Sequence, residues 1–231
     1  MKLLILSDIH GNLPALEAVL EAERGFDAVA FCGDLVDYGP FPVESIAWLR
    51  KHAEHAVRGN HDNALAFDKD CHCQMLSPEA SLATRQWHRS LVSTADLEFL
   101  QSLPTLDFFE WQGRHFRVSH GTPFGNPFEY LHEDQWEPLL GDIDADYVLL
   151  GHTHVQGIQR HGKVTVINPG SVGFARDRRG LAAYAVYEDG EIQLKRAEYD
   201  RQRTIRALRE SPLPPRVITA LLKFLGENNG Q

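Results

Sequence analysis

Five short polar clusters carry the residue types that chemistry needs, and each follows directly on an apolar run. Asp8 and His10 come after the run at 3–6. Asp34 and Asp37 come after 28–32, inside Gly33-Asp34-Leu35-Val36-Asp37-Tyr38-Gly39. Asn60, His61 and Asp62 follow Gly59; His120 follows 115–118; His152 and His154 follow 146–150. Singly, Asp, Asn and Gly at such places are ordinary turn residues. Turn propensity does not explain a histidine at four of the five. Carboxylate, imidazole and amide oxygen, without thiolate, suit Mn²⁺, Fe or Zn²⁺ better than Ca²⁺ or a soft ion. The seven donors Asp8, His10, Asp34, Asn60, His120, His152 and His154 exceed what one open-sided ion can use. Two ions sharing a carboxylate fit the number. Metals about 3.5–4 Å apart can hold a bridging hydroxide and clamp a phosphoryl group in line.

The elements that must position these residues alternate between strand and helix. Residues 2–6, 28–32 and 146–150 are short and largely apolar, and read as strands buried on both faces. Open α/β sheets bind ligands outside the carboxyl ends of such strands. A brief strand is expected at 55–57, a hairpin at 106–109 and 115–118 about Gln112-Gly113, and further strands at 155–159, 164–167, 181–187 and 192–196, with 168–171 as a turn. A helix to about residue 24 is expected after Asn12 as N-cap, with Pro14 in its first turn. Others are expected at 42–52, from Pro78-Glu79 through His88, and after Thr94. Two C-terminal helices should fill about 200–225. The class is α/β, one domain over 1–231, with a helical insertion at about 64–103.

Composition narrows the partners. A net charge of −9 argues against a grip on duplex nucleic acid, which needs a basic face. An acidic protein that binds phosphate needs bound cations to supply the positive charge. Three cysteines do not make a disulfide framework, and no apolar stretch nears the roughly 20 residues of a membrane span. A cytoplasmic location is expected. Cys71-His72-Cys73 offers two thiols and an imidazole, but a structural zinc site takes four ligands and no second cysteine pair exists. The segment reads as a loop with incidental cysteines. Phe128 and Tyr130 read as pins holding the loop at 125–131 to the body.

The ordered motifs Asp8-x-His10, Gly33-Asp34-x-x-Asp37, Gly59-Asn60-His61-Asp62, His120 and Gly151-His152-Thr153-His154 resemble those of the calcineurin-like metallophosphoesterases. The resemblance spans about residues 1–175. It implies a four-layer α-β-β-α sandwich with two mixed sheets. It also implies one metal on Asp8, His10 and His154, a second on Asn60, His120 and His152, and Asp34 bridging. His61 would face the leaving group, with Asp37 behind it to orient the ring and raise its pKa. The ions implied are two divalent or mixed-valence transition metals, Mn²⁺ or Fe foremost, with Zn²⁺ and Ni²⁺ as alternatives.

The chain departs from the protein-phosphatase branch at Tyr38, where that branch carries Arg, and at Asp62, where it carries Glu. Losing that Arg removes a bidentate clamp suited to a dianionic monoester. Similarity to small prokaryotic phosphodiesterases and to diadenosine-tetraphosphatase-related phosphatases points the same way. The expected substrates are therefore small phosphodiesters or nucleotide phosphoanhydrides, with Arg176 reaching a second phosphate. A phosphomonoesterase or protein serine/threonine phosphatase is the alternative enzyme. A metal-binding scaffold without activity, like the retromer subunit that resembles these enzymes, is the alternative of another class.

Overall fold

The computed structural model describes residues 1–74, 76–137, 140–141 and 143–227. Strands β1 (Lys2–Leu6), β2 (Ala28–Phe31) and β3 (His55–Ala56) run parallel, with helices α1 (Leu13–Ala22) and α2 (Pro42–His52) between them. Helices α3 (Asn60–Phe67), α4 (Pro78–Leu91) and α5 (Thr94–Ser102) follow. The chain then enters a second sheet through β4 (Leu106–Trp111), β5 (Arg114–Ser119), β6 (Tyr147–Leu149), β7 (Gln156–His161) and β8 (Val164–Pro169). It returns to the first sheet with β9 (Leu181–Glu188) and β10 (Glu191–Glu198), and closes with α6 (Arg201–Arg209) and α7 (Pro215–Phe224).

Two five-stranded mixed sheets result, ordered β10-β9-β1-β2-β3 and β4-β5-β6-β8-β7. Strand β1 is buried on both faces, so its alternate residues enter different cores. Leu3 and Ile5 meet Phe116, Val118, Leu149 and Ile167 between the sheets. Leu4 and Leu6 meet Leu16, Val19, Ile46 and Leu49 of the covering helices. Across the second sheet, Val148, Val164 and Val166 are covered by Leu131, Trp136, Leu140 and Ile143, around a short helical turn at Glu133–Gln135. The architecture is therefore α/β, two mixed sheets flanked by helices.

Helices α4, α6 and α7 share a core of their own, in which Ala80, Ile205, Leu208, Val217 and Leu221 close around Tyr38 and Phe174. The expected element positions shift in three places. Asn12 precedes α1, but its amide donates to the Gly173 carbonyl and the Tyr199 hydroxyl instead of capping. Ser93, not Thr94, caps α5, because its hydroxyl accepts from the Asp96 amide and Asp96 returns a bond to the Ser93 amide. Strand β8 continues through Asn168-Pro169, so the turn begins only at Gly170 (φ +78°). Among the described residues, no helix is long and apolar enough to cross a membrane.

Candidate metal centre

The loops that leave β1, β2, β5 and β6 converge at one end of the paired sheets, with the start of α3 beside them. Their backbones are unusual. Among the described residues, eleven non-glycine residues have positive φ, and seven of them are here: Asp8, His10, Asp34, Asp37, Tyr38, His152 and His154. Side chains rarely tolerate this region, and each such residue costs on the order of 1 kcal/mol or more. Surrounding contacts hold them there. The Asp8 amide donates to the Gly33 carbonyl, the His10 amide to Asp34, and Gly11 to Leu35, which stitches the first two loops together. Gly59 is needed because a Cβ there would fall 2.0 Å from Asp34 Oδ1.

Two groups of donors face each other. In the first, His154 Nε2 lies 3.1 Å from both Asp8 Oδ1 and His10 Nε2. In the second, His120 Nε2 lies 3.1 Å from Asn60 Oδ1, from His152 Nδ1 and from Asp34 Oδ2. Asp34 Oδ2 is also 3.8 Å from His10 Nε2, so one carboxylate oxygen stands between the groups. All seven residues are buried.

Hydrogen bonds away from the centre fix which atoms point inward. His10 Nδ1 contacts the Val36 carbonyl at 2.7 Å, His154 Nδ1 the Phe174 carbonyl at 2.9 Å, and His120 Nδ1 the Cys32 carbonyl at 2.8 Å. A carbonyl only accepts, so each Nδ1 carries the proton and each Nε2 presents a lone pair. Asn60 donates its amide to the Cys71 carbonyl at 2.7 Å, which turns its Oδ1 inward. Asp8 Oδ2 accepts from Ser7 and from the His152 amide, while the buried Oδ1 has no hydrogen-bond partner. Lone pairs facing one another at 3.1 Å repel unless a proton or cation lies between them. The residues thus fit divalent ions on both sides of Asp34.

The titration behaviour has the same origin. Burial holds the His10 imidazole well below its ordinary value, with Asp34 opposing and His154 adding to the effect. Burial and the neighbouring His120 lower His152 likewise. For His120 burial also disfavours charge, but the Asp34 carboxylate outweighs it and lifts the ring to about 9. Such a site draws in positive charge.

His61 sits beside this cluster, its ring centroid 5.1 Å from that of His10. Its Nδ1 is 2.7 Å from Asp37 Oδ2, and its Nε2 is 3.0 Å from the buried Tyr38 hydroxyl. Burial opposes its protonation, yet Asp34 and Asp37 together raise its pKa well above the ordinary imidazole value. Arg176 is not drawn in. Its backbone amide bonds the His154 carbonyl, and its side chain is exposed.

Two residues hold the loops in a role the motifs did not assign: Asp62, a motif member with no role given to it, and His88, outside every motif. Asp62 accepts from the amides of Asp34 and Gly59 on one oxygen and of Leu35 and Val36 on the other, at 2.8 to 3.2 Å. Its place at the third position of α3, after Gly59, is the available sequence signal. His88 of α4 accepts from the Asp37 amide at 3.0 Å and donates to the Gly39 carbonyl at 2.8 Å. No local pattern marks His88. Tyr130 lies over His152, with ring centroids 3.6 Å apart, and Phe128 lies edge-on to His72.

Histidines, carboxylates and an amide gathered at the strand ends of paired mixed sheets make a candidate metal centre, and the family match identifies the chain as a metal-dependent phosphoesterase, a hydrolase. Residues 1–190 match the calcineurin-like phosphoesterase superfamily domain. The chain belongs to that superfamily. A metallophosphoesterase from Sphaerobacter thermophilus superposes with a TM-score of 0.83 at 30% identity, covering 97% of this chain and 99% of that one. Phosphodiesterase YfcE of Escherichia coli is 29% identical over 188 residues, which is 76% of this chain and 82% of the relative. An uncharacterized protein of Methanocaldococcus jannaschii is 29% identical over 91% of this chain and 93% of its own length.

Proposed function

We propose that the protein hydrolyses small phosphodiesters or nucleotide phosphoanhydrides with the help of two metal ions. Asp8, His10 and His154 would hold one ion, and Asn60, His120 and His152 the other. Asp34 would serve both. The observation that carries this reading is Asp34 Oδ2, placed 3.1 Å from His120 Nε2 and 3.8 Å from His10 Nε2. Mn²⁺ or Fe suits the oxygen and nitrogen donors. When bound, such ions neutralise phosphate charge and bring the pKa of water towards neutrality, which permits in-line attack.

The chain's own residues would do the rest. Asp37 holds His61 through Nδ1 and favours its charged form, so His61 can give a proton from Nε2 to the departing oxygen. The leaving oxygen would take the place of the Tyr38 hydroxyl on that nitrogen. His88 keeps the Asp37–Gly39 turn in register.

Preference for a diester is supported by the cations within reach. Tyr38 places a neutral hydroxyl beside His61. Arg85, which reaches Asp37 at 3.8 Å, is also engaged with the Lys69 carbonyl and Cys71. Neither offers the free fork that a phosphate dianion calls for. The name of the E. coli relative, a phosphodiesterase, agrees. Exposed Arg176 would meet only the outer part of a longer substrate.

The test is to strip the protein with chelator, restore Mn²⁺, and compare bis-p-nitrophenyl phosphate with p-nitrophenyl phosphate. Faster diester cleavage, lost in Asp34→Asn, is expected. Monoester preference would move the assignment to a phosphomonoesterase. No metal-dependent turnover of either would count against the diesterase reading.

A further inference from the structure

The Cys71-His72-Cys73 segment does not join the strand-end cluster, and the ring of its own histidine lies against Phe128. The fold supplies a different histidine. One ligand atom each from His61, Cys71 and Cys73 lie within 4.8 Å of one another. His61 Nδ1 is committed to Asp37, so an ion would be held through Nε2 in place of the Tyr38 hydroxyl that now lies 3.0 Å from it. We propose that His61, Cys71 and Cys73 form a separate site for one thiophilic divalent ion, with Zn²⁺ as the natural occupant.

Five observations carry this. Two thiolates and an imidazole are a three-ligand zinc set that leaves a fourth position open. Tetrahedral bonds of about 2.3 Å to sulfur and 2.0 Å to nitrogen put ligand atoms roughly 3.5–3.8 Å apart. Side chains already within 4.8 Å reach that by small rotations. Asp37 on Nδ1 fixes the tautomer and leaves Nε2 basic, as carboxylates do behind many zinc-bound histidines. Arg85 Nη2, 3.4 Å from Cys71 Sγ, holds that sulfur in place. Cys71 is buried, while Cys73 is only partly so and gives an ion its way in.

The charges balance. Any proton on the two sulfurs and the proton on His61 Nε2 pass to solvent as the ion binds, and two thiolates neutralise one divalent cation. The strand-end donors contain no sulfur, so softness sorts the ions between the sites. One consequence rests on the proposed role of His61. An ion on Nε2 removes the proton donor, so Zn²⁺ should inhibit the Mn²⁺-loaded enzyme.

The experiment titrates the Mn²⁺-loaded full chain with Cd²⁺ and reads the ultraviolet sulfur-to-cadmium charge-transfer band. The band should saturate at one equivalent per chain. Cys71→Ser and Cys73→Ser should each weaken Cd²⁺ binding by at least about 10–100-fold, since even partners behind a ligand contribute that much. His61→Asn keeps both sulfurs and should weaken binding about tenfold or more. No band in the unaltered protein would overturn the proposal, as would a band undiminished in the double-serine variant. Undiminished affinity in His61→Asn would overturn the three-ligand set. Zn²⁺ inhibition of diester hydrolysis, each variant measured against its own Mn²⁺ rate, is then the separate arm. Cysteine-dependent binding without inhibition would leave the ion site standing and remove the acid role of His61.

Discussion

The strand-end cluster and the His61–Cys71–Cys73 group are neighbours built in opposite ways. The first hangs from loops whose backbones interlock, through the bond from Asp8 to Gly33 and the close packing of Gly59 on Asp34. Its donors are oxygen and nitrogen, held by carbonyls behind them. The second hangs between α3 and α4 and is steadied by side chains. Cys73 Sγ lies 2.8 Å from Ser81 Oγ, Arg85 reaches Cys71, and the Gln74 amide donates to Tyr130. Cys71 beside it lowers Cys73 below the ordinary thiol range, and Cys73 and burial raise Cys71. Backbone-held donors come ready for an ion, whereas side-chain-held donors can adjust to one. The proposals for the two regions, catalysis at the first and control at the second, rest on that difference.

Breaking the first region should have the largest effect. Asp34→Asn removes the shared carboxylate, and metal charge stabilisation of several kcal/mol is at stake. We expect Mn²⁺-dependent diester hydrolysis to fall about a thousandfold or more, read as kcat/KM. His61→Asn touches both regions, and general-acid loss should slow turnover by about 10²-fold. The loss should be greater for an alkyl leaving group than for p-nitrophenol. Equal losses would remove the acid role.

Two smaller changes sharpen the contrast. Asp62→Asn puts an amide NH₂ against backbone donors that now share two carboxylate oxygens. Mn²⁺ affinity should fall about 10–100-fold, measured by isothermal titration, while Cd²⁺ binding at the sulfurs should change much less. Glu23, far from both regions, joins Lys195, Lys2 and Tyr184 at the end of α1. Burial raises its pKa, but its bonds to Lys195, Lys2 and Tyr184 outweigh that and lower it below the ordinary value. Its stabilisation is therefore present above the unfolded-state pKa and fades as pH falls through the lower folded value. Glu23→Gln should cost about 1–2 kcal/mol at pH 7 by denaturant unfolding, with the gap to the unaltered protein closing in acid.

Local order explains what could be read beforehand. β1 and β2 are so apolar, and their polar ends so abrupt, that strand, loop and donor residue appear together within ten residues. The two mixed sheets were expected only from the resemblance of the motif set, not from the strands themselves. Contacts set by helix length and packing were not. Whether Cys71 meets His61 or only His72 depends on where α4 lies, and nothing near residue 71 encodes that. His88 enters from α4, 51 residues along the chain from Asp37, so its bond to the Asp37 amide has no short-range signature. Asn12 has the look of a cap, yet the loop after β8, the end of β10 and α6 bring Gly173, Tyr199 and Thr204 close enough to take its side chain.

The Cys71 peptide belongs to both regions at once. Its carbonyl oxygen orients Asn60, and its sulfur faces His61. Drawing that sulfur towards an ion therefore pulls on the amide whose oxygen points at His120. If both ions bind as proposed, the two equilibria would be linked heterotropically, and whatever factor Mn²⁺ applied to zinc affinity, zinc would apply to manganese affinity. The working fraction of the enzyme would then depend on the levels of both metals at once.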